Sequence, residues 1–110
     1  MSVSLLDRWA NWIGDRSLEQ AIQAELRRGG FAVHASKIIR PRLVAIERPG
    51  WVQVHRFEVE TLDSERHAVR LFGAVRDDGR SERPRVVLTH DRNERDSQLD
   101  AWCEGLIRRD

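Results

Sequence analysis

The stretch Gly50-Trp-Val-Gln-Val-His-Arg-Phe-Glu-Val-Glu-Thr-Leu-Asp63 reads as one long β-strand whose buried side changes halfway. Side chains of a strand alternate between its two faces. Val52 and Val54 therefore fall on one face, whereas Phe57 and Val59 fall on the other. A strand with a single buried face does not show this change of phase.

Two interpretations account for the change of phase. A β-bulge near His55–Arg56 inserts one residue and returns both apolar pairs to a single core face. Alternatively, both faces of the strand are partly covered, one by helices and one by another subunit. The bulge is the preferred interpretation, with curvature of the strand as its reason rather than a working site.

Helices are predicted before this strand. Ser17-Leu-Glu-Gln20 resembles a capping box, and the stripe Leu18, Ile22 and Leu26 follows it at helical spacing. Gly29-Gly30 offers a left-handed stop. An earlier helical segment contains these apolar residues: Leu5, Leu6, Trp9, Trp12 and Ile13.

A further helix and further strands are predicted around the opening stretch. The last helix runs from about Glu94 to Arg109, with Asp91 or Asn93 as its cap. Turn signals at Asp63-Ser-Glu65 and Asp77-Asp-Gly79 separate the later strands. The additional strands are predicted at residues 31–35, 43–46, 67–76 and 86–88.

The order of these elements predicts one α+β domain over residues 1–110. No connection is long enough for a parallel crossover, so we expect an antiparallel meander of about four to five strands. The N-terminal helices and the C-terminal helix are expected to pack on one face. The other face would then be partly bare, which favours a homodimer that covers it.

Composition places the chain among globular proteins, with 40% hydrophobic and 34% charged residues. No apolar run reaches the roughly 18 residues of a membrane span, and no signal peptide is recognisable. We therefore expect a cytoplasmic protein without membrane contact. The single cysteine, Cys103, excludes an intramolecular disulfide and lies on the apolar stripe of the last helix, which predicts a buried structural role.

Motifs for catalysis or cofactor binding are missing from the sequence. His67 and His90 are expected to approach each other, with Asp91 nearby, yet none of the short metal-ligand spacings is present. Ordinary strand histidines are the preferred interpretation, so neither a metal nor a cofactor is predicted. No nucleophile elbow, P-loop or dinucleotide fingerprint occurs either.

The charge pattern is the most informative feature for function. Formal net charge is only +1, but residues 34–56 carry +4 and residues 57–65 carry −4. Such a split makes a dipolar surface if both segments reach solvent. The predicted basic surface consists of Lys37, Arg40, Arg42, Arg48 and Arg56. The predicted acidic surface consists of Glu58, Glu60, Asp63 and Glu65.

Missing catalytic motifs and split charge together favour a small non-catalytic binding module that acts through protein–protein contact, as an adaptor, regulator or assembly factor. The partner is then another protein or a second copy of the chain. The alternative is a nucleic-acid-binding protein that uses the basic surface, with phosphates on arginine. An enzyme of unknown chemistry ranks third.

Overall fold

The computed structural model describes residues 16–47, 51–79 and 83–109. Within them lie two α-helices and one five-stranded antiparallel sheet in the order β4-β3-β2-β1-β5. The α+β class and the antiparallel meander are therefore confirmed. The helices are α1 (Arg16–Arg28) and α2 (Arg92–Cys103), and the strands are β1 (Lys37–Ile46), β2 (Gln53–Leu62), β3 (Ala68–Asp77), β4 (Arg85–Thr89) and β5 (Ile107–Arg108).

The opening stretch forms β2, and β2 contains no bulge. Its pairing with β3 runs without interruption from Gln53 opposite Asp77 to Leu62 opposite Ala68. The preferred interpretation of the change of phase was therefore wrong. Both faces of β2 are buried instead, as in the rival interpretation, but helices of the same chain cover them.

Helix α1 covers the face of β2 that carries Phe57 and Val59. The predicted stripe of Leu18, Ile22 and Leu26 is fully buried in one cluster with these two residues. We name this side of the sheet the α1 face. The helix begins at Arg16, so Ser17 lies in its first turn, and it ends as predicted before Gly29-Gly30.

Helix α2 covers the face that carries Val54. Leu99 and Cys103 are buried in a second cluster with Val54, Ala74 and Val44, and we name this side the α2 face. The two described helices thus lie on opposite sides of the sheet, which differs from the expected packing on a single face. The helical segment predicted around Trp9 and Trp12 lies outside the described residues.

Strand β1, rather than β2, carries the irregularities of the sheet. Its register against β2 breaks between Ile39 and Arg42 and again between Leu43 and Ala45, with one extra residue in β1 each time. Pro41 lies in the first break, where its missing N–H removes a hydrogen bond from the ladder. Residues of this first break also line a cavity next to α2.

Three elements differ from the sequence prediction, and the first is β1, which begins at Lys37 instead of Leu43 and continues through Pro41. Residues 31–35 are not a strand, because Val33–Ala35 forms a short 3-10 helix. The last helix ends at Cys103 instead of Arg109, and Ile107–Arg108 pairs with the end of β1 as β5. Asp91 caps α2, and its carboxylate accepts a hydrogen bond from the backbone N–H of Asn93 at 2.8 Å.

The part of the α2 face next to β1 is charged rather than apolar. In the described part of the chain, the large hydrophobic side chains exposed to solvent are Trp51 and Ile107. Within the described residues, the bare apolar face on which the homodimer prediction depended is therefore not found, and the oligomeric state stays a prediction. No helix among the described residues has the length and apolar character needed to cross a bilayer.

Candidate anion-binding cavity

A cavity of about 540 Å³ opens on the α2 face between the first break in β1, the middle of β2 and the start of α2. Five arginines, two carboxylates, Pro41 and Phe57 line it. We name it the arginine cavity. Its charged side chains are Arg40, Arg42, Arg56, Glu58, Arg92, Arg95 and Asp96.

Strand alternation explains how β2 contributes to the cavity. Because Phe57 points into the core of the α1 face, its neighbours Arg56 and Glu58 point to the α2 face. Arg42 lies directly opposite Arg56 in the pairing of β1 with β2. The alternation that buries Phe57 on the α1 face thus places Arg56 and Glu58 in the cavity.

The first break in β1 holds Arg40 at the rim of the cavity. Arg40 has a φ of 53°, a left-handed conformation that non-glycine residues seldom adopt. Its guanidinium lies 3.5 Å from Glu58, whose other carboxylate oxygen lies 3.6 Å from Arg70. Glu58 is buried, and the positive charges of Arg40 and Arg70 balance the charge of its carboxylate.

Helix α2 provides the opposite wall. Arg92, Arg95 and Asp96 precede Leu99 at spacings of seven, four and three residues, so the polar side chains continue the apolar stripe of the helix toward its start. Sequence reasoning missed these residues. The sequence signal that would have identified them is their helical spacing from Leu99, because it continues the apolar stripe toward the start of the helix.

Arg95 is the most buried of these cations, with 5% of its surface exposed. Its Nη1 donates to the backbone oxygens of Phe57 and Gly73 at 3.1 and 3.3 Å, and its Nε donates to Asp96 at 2.7 Å. The guanidinium also lies 5.5 Å from the centre of the Phe72 ring. Arg95 is therefore a structural anchor between α2 and the sheet.

The cavity carries an excess of positive charge. Five arginines face two carboxylates, which leaves three positive charges, and the two carboxylates already pair with Arg40 and Arg95. Within residues 16–47, 51–79 and 83–109, no carboxylate forms an ion pair with Arg42, Arg56 or Arg92. These three guanidinium groups have their donors available for an anion.

Of the predicted basic surface, the structure brings three residues together in the cavity: Arg40, Arg42 and Arg56. Lys37 is exposed and lies outside the lining, opposite Glu60 at the start of β1. Arg48 lies outside the described residues. A binding role for the basic set stays a prediction.

The residues of the predicted acidic surface have separate surroundings. Glu58 lies in the cavity, and Glu60 forms an ion pair with Arg70 at 3.1 Å. The Asp63 carboxylate accepts hydrogen bonds from the backbone N–H groups of His67 and Glu65 at 2.8 and 2.9 Å, which lower its pKa. Asp63 thus closes the turn between β2 and β3, while Glu65 is exposed.

The two histidines singled out in the sequence lie at the same end of the sheet as that turn. His67 Nδ1 is 3.7 Å from Asp63 and 3.5 Å from Glu65, and the His90 ring lies 6.0 Å from that of Phe31. Over the described residues, no three His, Cys, Asp or Glu side chains are grouped as metal ligands. Cys103 is buried, as predicted, in the α2 cluster.

Comparisons with models of protein families, with curated proteins and with solved structures find no match to this chain. The geometry and charge of the arginine cavity are therefore the basis of the functional assignment.

Proposed function

We propose that this protein is a non-catalytic binding module that docks an acidic segment of a protein partner in the arginine cavity. The observation that carries this proposal is the group of three guanidinium side chains, Arg42, Arg56 and Arg92, that have no acidic partner within the described residues. Arginine binds carboxylates through a planar fork, which makes a concave cluster of this kind a receptor for anions.

A protein partner fits the cavity better than single-stranded nucleic acid. Recognition of single strands depends on aromatic rings that stack with bases. Phe57 is fully buried, Trp51 does not line the cavity, and no exposed aromatic ring lies among its described lining residues.

The proposal is tested with fluorescence anisotropy on a labelled glutamate-rich peptide and on a labelled single-stranded oligonucleotide, at about 50 and about 200 mM salt. We expect the peptide to bind and its affinity to fall with salt. The double variant R42A/R56A is expected to bind the peptide at least about tenfold more weakly, because two charge-assisted contacts are lost.

The matched control is R27A/R83A, which removes the same charge from exposed positions outside the cavity. It is expected to bind like the unmodified protein. Equal weakening in both double variants would mean that net charge, not the cavity, drives binding. Oligonucleotide binding that depends on Arg42 and Arg56, without peptide binding, would establish the nucleic-acid alternative instead.

A further inference from the structure

Two cavity arginines form a like-charged pair across neighbouring strands. Arg42 and Arg56 lie directly opposite each other on the α2 face, where facing Cβ atoms are about 4.5–5.5 Å apart. Like charges in this position destabilise a sheet. At the start of β1, by contrast, Lys37 lies opposite Glu60, so the same two strands also contain a complementary pair.

A third guanidinium reaches the same cavity from α2. Arg92 lies 5.1 Å from the centre of the Phe72 ring, an arrangement that orients its planar group while leaving its N–H donors available. The cavity thus receives unpaired cations from β1, β2 and α2, each with five N–H donors. The two remaining cavity arginines, Arg40 and Arg95, already have acidic partners.

This arrangement suits a ligand with more charge than one carboxylate. A carboxylate has one negative charge and two oxygens, which a single arginine fork already satisfies. A phosphate monoester carries about −1.5 to −2 charges at neutral pH and three strong acceptor oxygens. Three guanidinium groups converging on one cavity match the charge and the number of oxygens of the monoester.

We propose that the arginine cavity takes a phosphate monoester carried on a side chain of the partner protein, with its oxygens between Arg42 and Arg56 and against Arg92. This inference rests on the proposed function, because it identifies the acidic segment as a phosphorylated one. A bound dianion then offsets the repulsion between Arg42 and Arg56.

The test compares three peptides of one sequence that carry phosphoserine, glutamate or serine at the central position, together with free phenyl phosphate. Binding is measured by isothermal titration calorimetry at pH 7.5 and pH 5. At pH 7.5 we expect the phosphoserine peptide to bind at least about tenfold more tightly than the glutamate peptide. This advantage is expected to shrink at pH 5, because the second ionisation of the phosphate has a pKa of about 6.

The variants R42A, R56A and R92A are each expected to weaken phosphoserine binding by about tenfold, whereas the control R27A leaves it unchanged. Without ligand, R42A is expected to melt at the same temperature as the unmodified protein or higher, since the substitution removes the repulsion with Arg56. A lowered melting temperature would assign Arg42 to the fold and overturn its role as a binding residue.

Two other outcomes separate this inference from the proposed function. Equal affinity for the glutamate and phosphoserine peptides would overturn the phosphate assignment but leave the acidic-segment proposal intact. Binding of phenyl phosphate as tight as that of the phosphoserine peptide, with no contribution from the rest of the peptide, would identify a small-molecule site. That result would overturn both proposals.

Discussion

Burial within the sheet changes the pKa of a single side chain, His55. It lies on the α1 face of β2, between Leu43 of β1 and Val75 of β3, with 5% of its surface exposed. Burial disfavours the charged imidazolium and lowers its pKa from 6.5 to about 4. The histidine is therefore neutral in the folded protein at neutral pH.

We predict that this histidine makes the fold sensitive to acid. The unfolded chain takes up the proton near pH 6.5 and the folded chain only near pH 4, so the stability present above pH 6.5 falls as the pH drops toward 4. At about 1.4 kcal/mol per unit of pKa difference, the loss reaches about 3 kcal/mol. Urea denaturation at a series of pH values measures it.

The variant His55→Leu tests the assignment, because it removes the titrating group and retains an apolar side chain. Its free energy of unfolding is expected to change much less between pH 6.5 and 4. His34→Gln is the control, since His34 is exposed and its replacement leaves the acid sensitivity in place. An unchanged slope in His55→Leu would show that other groups cause the effect. Asp63 also has a pKa lowered from its ordinary value of 3.8. The stability that this carboxylate contributes is therefore lost mainly below that pH, outside the range in which His55 acts.

At the scale of elements, α2 is held to the sheet by both apolar and polar contacts. Leu99 and Cys103 supply the apolar part, and Arg95 supplies hydrogen bonds to the backbone oxygens of Phe57 and Gly73. Phe57 lies at the first break of β1, where two residues of β1 oppose one of β2. Arg95 thus connects α2 to the sheet beside its least regular position.

We predict that Arg95→Ala lowers the free energy of unfolding by about 2–4 kcal/mol, because buried carbonyl groups lose their donor and Asp96 loses its partner. Arg92→Ala is the matched control. Arg92 packs over the same Phe72 ring but is exposed, so its loss is expected to cost less than about 1 kcal/mol. Urea denaturation measures both values, and equal losses would contradict the anchoring role of Arg95.

Elements with a strong local signal could be predicted from the sequence. The stop at Gly29-Gly30, the turn closed by Asp63 and the antiparallel pairing of β2 with β3 all follow from local residue preferences. The breaks in β1 could not be predicted, because they depend on how β1 fits against β2 and α2. Residues 31–35 alternate like a strand, but they form a 3-10 helix where the chain passes from α1 into β1.

Only part of the candidate site could be predicted, because charge is read directly from the sequence whereas contacts between distant elements are not. Arg40, Arg42 and Arg56 were selected from charge alone, and the structure places all three in one cavity. Arg92 and Arg95 come from a helix far along the chain, so that only the tertiary fold brings them near the strands. Glu58 was assigned to an acidic surface, yet it is buried beside Arg40. Alternation along β2 points its side chain toward the α2 face.

At the scale of the whole molecule, the sheet is a common wall between two clusters of apolar side chains. The cluster on the α1 face contains Ile22 and Phe57, and the cluster on the α2 face contains Leu99 and Val54. Phe57 and Val54 belong to the same strand. Because β2 and β3 contribute side chains to both clusters, neither helix can separate without exposing apolar surface of the shared sheet.

We predict from this arrangement that the described part of the chain unfolds as one cooperative unit. Leu99→Ala on the α2 face is expected to cost about 2–5 kcal/mol, and Ile22→Val on the α1 face about 0.5–1.5 kcal/mol. Because the two side chains lie on opposite sides of the sheet, their effects are expected to add within about 0.5 kcal/mol.

Amide hydrogen exchange provides the decisive readout. In Leu99→Ala, the slowest amides of α1 and α2 are expected to lose protection equally, since both exchange through global unfolding. Loss of protection confined to α2 would show that this helix opens independently and that the sheet does not couple the two clusters.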